Sequence, residues 1–221
     1  MPQHTTKIFR TFTTTKRRAT SVVIGVLTCI LLSACSGVPL KSIPRLLDLN
    51  SKLLDAKPTE FMVAIQLDAR MALPSEGTPV MEVMVEPTVP GAFEIINKKL
   101  PLRLNGTGAD TNTLPRTLGL EDASKGRRWL VYSLTTESQA ELQRTQTTIK
   151  RLMQDKKDGN GPGKGGGRVS VGIAQESIPP RDPAFANIRW ESWLQTRQSE
   201  GFFEFWSGTV GLLLKQADAR K

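Results

Sequence analysis

An uncharged apolar run of twelve residues, Ser21 to Leu32, is the feature that most limits what this chain can fold into. A helix that crosses the hydrocarbon core of a bilayer needs about 20 apolar residues, so this run is short for a permanent span. It ends in two small residues, Ser33 and Ala34, and it follows an N-terminus that has no acid and five bases, Lys7, Arg10, Lys16, Arg17 and Arg18. These features are typical of a secretory signal peptide, which is removed from the mature protein. The folded part is therefore expected to begin near residue 35.

The residues that close this run, Leu32-Ser33-Ala34-Cys35, resemble the lipobox of bacterial lipoproteins. The resemblance implies that signal peptidase II cleaves before Cys35, after the thiol has received a diacylglyceryl group. Residues 1–34 are then a signal peptide and residues 35–41 a lipidated tether, held on a membrane by acyl chains such as palmitate. Two or more acyl chains anchor a protein stably, whereas one binds only marginally. Ser36, in place of the Asp that favours the inner membrane in this family, implies the outer membrane, with the protein facing the periplasm.

Removing residues 1–34 changes the electrostatic character of the chain. The full sequence has 30 Lys and Arg against 21 acids, a net charge of +9, but five of those cations and none of the acids lie in the signal. Of the 221 residues, 187 remain, with a net charge of +4. That charge is ordinary for a globular domain, so no nucleic-acid partner is expected. A chain of this length can bury a full core, and residues 42–221 are predicted to form one domain.

The positions of cysteine and histidine exclude several kinds of enzyme. Cys29 and His4 lie in the predicted signal peptide, and the lipobox resemblance implies that lipid blocks Cys35. The remaining chain has no histidine or free thiol for a disulfide, for a Ser-His or Cys-His nucleophile, or for a zinc site of His and Cys ligands. We therefore expect no metal, no cofactor and no enzymatic activity.

Two motifs suggest chemistry. Residues Gly161 to Gly166 satisfy GxGxxG, but a helix is predicted before them and a strand after them, the reverse of the order in a dinucleotide site. Glu82 and Glu86 lie on one face of a predicted strand and can be interpreted as paired carboxylates or, more simply, as a solvated face. The pair leaves open the alternative of a carboxylate-based hydrolase that acts on envelope glycans.

Alternating apolar and polar residues predict a largely antiparallel sheet of about five or six strands. The clearest strand, Glu60 to Leu73, is expected to form a hairpin with Val80 to Glu86. In the strand candidate Leu100 to Leu104, Pro101 favours an edge position, because proline cannot donate to a strand ladder. Further strands are predicted at Phe93–Ile96, Arg127–Leu134 and Arg168–Gln175.

Helical spacing of apolar residues predicts two helices in the first three quarters of the chain. One runs from Ser42 to Asp55 and either docks on the domain or lies on lipid headgroups. The other runs from Thr136 to about Gln154, with Thr136 and Gln139 as a capping box. A flexible glycine-rich loop is predicted over residues 156–167. The polar loop over residues 105–113 is long enough to bind a ligand, and the sequence leaves its role open.

The C-terminal segment holds most of the aromatic side chains, and their spacing fits helical faces. An exposed cluster of this size would exceed the apolar patch of an ordinary monomer, so something must cover it. The cover is either the sheet below the helix or a partner or membrane surface. The residues proposed for such a surface are Trp190, Trp193, Phe202, Phe203, Phe205 and Trp206.

Together these patterns predict an α+β domain with an N-terminal helix, one inserted helix and an aromatic-rich C-terminal helix. The expected function is that of a lipid-anchored envelope protein with a non-enzymatic binding or scaffolding role and an envelope protein as partner. Val169 to Ala174, followed by Trp190, resembles the late strand and tryptophan of type VI secretion lipoproteins. That resemblance implies a second alternative, an accessory lipoprotein of a secretion machine.

Overall fold

Seven strands in one curled antiparallel sheet form the body of the molecule. The computed structural model describes residues 39–72, 77–105, 113–157 and 167–219. In these residues the predicted α+β class is confirmed, with one strand more than the largest number expected. The strands are β1 (Met62–Asp68), β2 (Val80–Pro87), β3 (Ile96–Leu104), β4 (Arg127–Leu134), β5 (Gly167–Ala174), β6 (Arg189–Gln195) and β7 (Phe203–Thr209).

Several predicted features lie outside the described residues. They are the signal peptide over residues 1–34, the lipidation site Cys35, most of the tether, and the central parts of the loops at 105–113 and 156–167. Residues 156–157 belong to a helix and residue 167 to β5, so both ends of the second loop are in regular structure.

The strand order, β5-β2-β3-β4-β1-β6-β7, contradicts the predicted hairpin between β1 and β2. β1 lies between β4 and β6, while β2 pairs with β3 and β5. Both faces of β1 are covered, because Ala64 and Gln66 on the face expected to be solvated are as buried as Val63 and Ile65. A strand buried on both faces needs apolar neighbours on both edges. The apolar β4 meets that need better than β2, which alternates with acids.

Pro101 does not make β3 an edge strand, so this prediction is wrong. β3 pairs with β2 as far as Pro101, and its pairing with β4 begins at Leu102. Pro101 therefore lies at the point where β3 stops pairing with β2 and starts pairing with β4. Its carbonyl accepts hydrogen bonds from Thr135 N at 3.5 Å and from the Ser138 hydroxyl at 2.8 Å.

Four α-helices accompany the sheet in the described residues: α1 (Ile43–Leu53), α2 (Thr113–Thr117), α3 (Thr136–Lys157) and α4 (Val210–Asp218). The N-terminus of α3 is capped one residue earlier than expected, since Thr135 Oγ1 accepts from Ser138 N at 3.1 Å. Gln146 of α3 donates to the carbonyls of Leu53 and Ala56 at 2.7 and 2.8 Å. The Leu53 carbonyl belongs to the last turn of α1 and also accepts from Ala56 N at 3.3 Å, so Gln146 joins the C-terminal end of α1 to α3.

The prediction of an aromatic-rich C-terminal helix is also wrong. The aromatic segment forms the antiparallel pair β6 and β7, and the only α-helix among the described residues after it, α4, contains no aromatic residue. An irregular register between Ser192 and Trp193 brings Trp206 opposite Ser192 and Glu204 opposite Trp193. This bulge breaks the simple alternation along the pair, and the residue spacing then imitates a helical face.

The principal core lies on one face of the sheet, and α1, α3 and α4 contribute to it through Leu53, Leu142 and Val210. A buried polar link crosses this core: the indole N–H of Trp190 donates to Gln175 Oε1 at 3.0 Å and to Ser192 Oγ at 3.1 Å. Gln175 directly follows β5, and Trp190 lies on β6. The curl of the sheet therefore brings together strands that four others separate in the strand order.

Candidate functional site

The six predicted aromatic surface residues separate into two groups. Trp190 is 0% exposed and Trp206 is 7% exposed, so both belong to the core and cannot form a contact surface in this structure. Trp193, Phe202, Phe203 and Phe205 are half-buried. The first pair lies on the core face of the sheet, where α4 covers Trp206 and the Trp206 indole donates to Gln216 at 3.1 Å.

Trp193 and Phe202 belong to a second apolar cluster on the opposite face of the sheet. Trp193 meets Trp129 edge to face, with ring centroids 6.0 Å apart and planes at 78°. The segment from α2 to Leu120 packs over these rings, and the Trp129 indole donates to the carbonyl of Glu121 at 2.9 Å. This cover explains why the central strands have no solvated face.

Cations from the start of the described chain lie over two of the half-buried aromatic rings. Lys41 Nζ is 5.9 Å from the centroid of the Trp193 ring, and the Arg45 guanidinium carbon is 5.5 Å from that of Phe203. Such distances are in the range of cation–π contacts. Leu40, beside them, is 80% exposed. We call this group, Leu40, Lys41, Arg45, Trp193 and Phe203, the β7 edge surface.

Contacts from α1 and the short 3₁₀ turn before it, Leu40–Ser42, to β7 and the turn before β7 hold this surface together. The Ser42 hydroxyl donates to the carbonyl of Glu204, and the Glu204 carboxylate lies 3.1 Å from Lys41 Nζ. Farther along α1, Lys52 Nζ reaches Glu200 at 3.0 Å. The turn Leu40–Ser42 before α1 therefore contacts the edge strand β7, and α1 reaches the turn that precedes this strand. Sequence reasoning missed Lys41 and Arg45, although their spacing of four residues signals a shared helical face.

Glu82 and Glu86 lie on the partly exposed face of β2, as predicted, but they are not a close pair. Their Cα atoms are four residues apart on one strand, or about 14 Å at about 3.4 Å per residue. The two carboxyl groups of a glycosidase lie about 5–9.5 Å apart. Glu82 instead lies 3.6 Å from Lys99 on the neighbouring strand.

Ion pairs and hydrogen bonds keep other carboxylates of the described residues charged. In a cleft of about 490 Å³ lined by Asp55, Glu60 and Arg197, the Gln198 N–H and then Lys57 lower the pKa of Glu60. A hydrogen bond from Lys150 lowers the pKa of Asp55. Every carboxyl group with a clear shift in these residues has its pKa lowered. Such groups are ionised at neutral pH, whereas a general acid needs a raised pKa.

Asp68 provides a direct test of this electrostatic description. The side chain of Arg70 donates to its two oxygens at 2.9 and 2.7 Å, and the Arg70 N–H donates at 2.9 Å. These hydrogen bonds lower the pKa of Asp68 to about 2. The charged form therefore stabilises the fold above the ordinary value of 3.8, and this contribution is lost as the pH falls through about 2. We expect an NMR titration midpoint near 2 that Arg70→Ala moves toward 3.8; a wild-type midpoint at 3.8 would contradict the pairing.

The described residues contain no group of three or more His, Cys, Asp or Glu side chains that could hold a metal ion. No helix in the same residues has the length and hydropathy to cross a bilayer. Comparisons of the chain with protein-family models, with curated proteins and with solved structures find no match.

Proposed function

We propose that this chain is a lipid-anchored protein of the bacterial cell envelope with a non-enzymatic binding or scaffolding role. The observation that carries the proposal is Leu32-Ser33-Ala34-Cys35, placed directly after a basic segment and a twelve-residue apolar run. In a lipoprotein, Cys35 is the first residue of the mature chain and the attachment point of its acyl chains. Ser36 favours the outer membrane, with the domain in the periplasm.

The non-enzymatic role is supported by the chemistry of the side chains that remain after cleavage. Residues 35–221 contain no histidine, and Cys35 would be their only cysteine. The carboxylates with shifted pKa values are stabilised as anions, which favours ion pairing over proton transfer. A hydrolase with two close acids, one of raised pKa, has less support, because Glu82 and Glu86 are far apart along β2.

The accessory-lipoprotein alternative has one observation in its favour. The two features behind it, the strand Val169–Ala174 and Trp190, are joined in the structure, because Gln175 at the end of this strand accepts the Trp190 N–H at 3.0 Å. A secretion accessory would be a specialised form of the proposed scaffolding role. Crosslinking in intact cells distinguishes the two ideas: capture of components of a secretion machine supports the alternative, and capture of other envelope proteins supports the general role.

Replacing Cys35 with alanine tests the anchor. Cells fed a clickable palmitate analogue are expected to label the wild-type protein and to leave Cys35→Ala unlabelled, because the alanine has no thiol to modify. The wild type should fractionate with the outer membrane, and its N-terminus after cleavage should be Cys35. Met153→Ala, a change at a 50% exposed position on α3, is the matched control and should label like the wild type. Equal labelling of wild type and Cys35→Ala would refute the anchor.

The partner-binding role needs point substitutions, because deletions in the aromatic segment remove part of the sheet. Residues Phe203–Thr209 form β7, so a deletion in this segment would remove a strand of the sheet and would not report on a partner alone. Point substitutions at exposed positions keep the fold, and Ile95→Asp, at a 61% exposed position, is one such variant. Crosslinking then compares the proteins captured by the wild type with those captured by each variant. A wild-type protein that captures no envelope protein under these conditions would contradict the scaffolding role.

A further inference from the structure

The distance between the predicted anchor and the folded domain is limited by covalent geometry. Three residues separate Cys35 from Pro39, where the described structure begins. A polypeptide extends at most about 3.6 Å per residue, so the Cα atom of Pro39 lies within about 14 Å of that of Cys35 whatever path the chain takes. If Cys35 carries lipid, as the proposed function requires, then the part of the domain next to Pro39 must lie close to the bilayer.

The side chains next to Pro39 are those of the β7 edge surface. Leu40 is 80% exposed, and the Lys41 side chain is 70% exposed although its ammonium contacts Glu204. Arg45 is exposed and its guanidinium lies over the half-buried ring of Phe203. Aromatic rings, exposed aliphatic groups and cations with long stems are the side chains that suit the interface between headgroups and acyl chains.

The charges of this surface favour an anionic membrane over a neutral one. A free Lys or Arg held near an anionic leaflet strengthens binding by about fivefold at ordinary ionic strength. Arg45 is expected to contribute this factor, and Lys41 contributes less because its ammonium also pairs with Glu204. Glu204, which offsets part of the Lys41 charge, is only 8% exposed, whereas the Lys41 side chain is 70% exposed. The outward charge of the β7 edge surface is therefore positive.

We propose that the β7 edge surface is a docking surface for the anionic headgroups of a phospholipid bilayer and that it fixes the orientation of the domain on the membrane. Leu40 enters the interface, Lys41 and Arg45 contact headgroup phosphates, and α1 lies close to the membrane surface. The inference rests on the proposed lipid anchor, because the short tether brings this surface to the membrane.

The test uses the full lipidated protein, purified from membranes and reconstituted into vesicles. Lipid blocks Cys35 and cleavage removes Cys29, so one introduced cysteine can be labelled without a competing thiol. Pro44→Cys places a fluorophore at an exposed position on the first turn of α1, and Met153→Cys places one on α3 as the control. The vesicles contain brominated phosphatidylcholine, either alone or with about one third brominated phosphatidylglycerol.

In vesicles with phosphatidylglycerol, bromine is expected to quench the label at residue 44 at least threefold more than the label at residue 153. High salt, pure phosphatidylcholine, or Lys41→Glu with Arg45→Glu should remove this difference. The matched control is Lys125→Glu with Arg168→Glu, which makes the same charge change at two exposed positions outside the β7 edge surface and should keep the difference. Circular dichroism of each variant checks that the fold is intact.

The outcomes separate failure of docking from failure of the anchor. If the protein floats with all vesicles but the labels at residues 44 and 153 are quenched equally, the docking surface is wrong and the anchor stands. A label at residue 44 that is shielded by a crosslinked protein in intact cells, with no quenching by lipid, also overturns the docking proposal. If the wild type carries no lipid and does not float, the proposed function itself is refuted. If Lys125→Glu with Arg168→Glu removes the difference in quenching as fully as Lys41→Glu with Arg45→Glu does, the difference depends only on net charge. That result would overturn the assignment to the β7 edge surface.

Discussion

Replacing Trp190 with alanine is expected to lower the free energy of unfolding by about 3–5 kcal/mol, the range for the loss of a buried aromatic side chain. Trp190 is fully buried, and its ring fills part of the core between β5 and β6. Alanine would leave a cavity and would also remove the donor to Gln175 and Ser192. Chemical denaturation followed by circular dichroism measures the loss.

Two control variants separate the effect of the cavity from that of the hydrogen bonds. Trp190→Phe keeps an aromatic ring but loses the indole N–H, so we expect a smaller loss of about 1–2 kcal/mol. Trp193→Ala removes a tryptophan from the same strand at a half-buried position, and it should cost less than Trp190→Ala. Equal losses for Trp190→Ala and Trp193→Ala would contradict the assignment of Trp190 to the core. If Trp190→Ala does not fold, Trp190→Phe still provides the comparison.

Local patterns in the sequence predict most of the strands but not their neighbours. The alternation in β1 and β2 marks both strands, and the bounds predicted for β4 match the structure. Strand order depends on which strands are buried on both faces. Burial of the second face depends on residues that lie far away in sequence. The second apolar cluster, built on Trp129 and Leu120, covers a face of β1 that looks solvated in the sequence. No local pattern contains that information.

The aromatic segment shows why spacing alone can mislead. Trp190, Trp193 and Leu194 fit a helical stripe, but the same residues fit a strand that is covered on both faces and interrupted by a bulge. In the structure Trp190 and Leu194 face the principal core, and Trp193 faces the second cluster. A helix would have put all three on one side. The distinction requires knowledge of the partner strand, since the register irregularity lies between β6 and β7.

The candidate surface could be predicted from the sequence only in part. The aromatic residues Trp193 and Phe203 were identified by their density in the C-terminal segment. Lys41 and Arg45, which lie over these rings, are more than 150 residues away in sequence, and only the fold brings the two groups together. A contact between α1 and the edge of β7 has no sequence signature of its own.

Replacing Glu191 with alanine is expected to lower the free energy of unfolding by about 3 kcal/mol, because it leaves a largely buried cation without its counter-charge. Glu191 on β6 pairs with Arg127 on β4, and the two side chains are only 12% and 14% exposed. Arg127 Nη2 also donates to the carbonyl of Gln66 on β1 at 2.5 Å. The guanidinium therefore joins three adjacent strands in the centre of the sheet. Arg189 Nη2 lies 2.5 Å from the other Glu191 oxygen.

The matched control is Glu82→Ala, which removes an exposed glutamate 3.6 Å from Lys99 and should change stability by less than about 0.5 kcal/mol. The double substitution Arg127→Met with Glu191→Leu distinguishes a lost attraction from an unpaired charge. Because the double variant leaves no buried guanidinium at residue 127, it should be more stable than Glu191→Ala, although it has lost the same ion pair. Urea denaturation of the three variants provides the comparison. If Glu191→Ala costs no more than Glu82→Ala, the ion pair is solvated, and the three central strands are held together by packing and backbone hydrogen bonds alone.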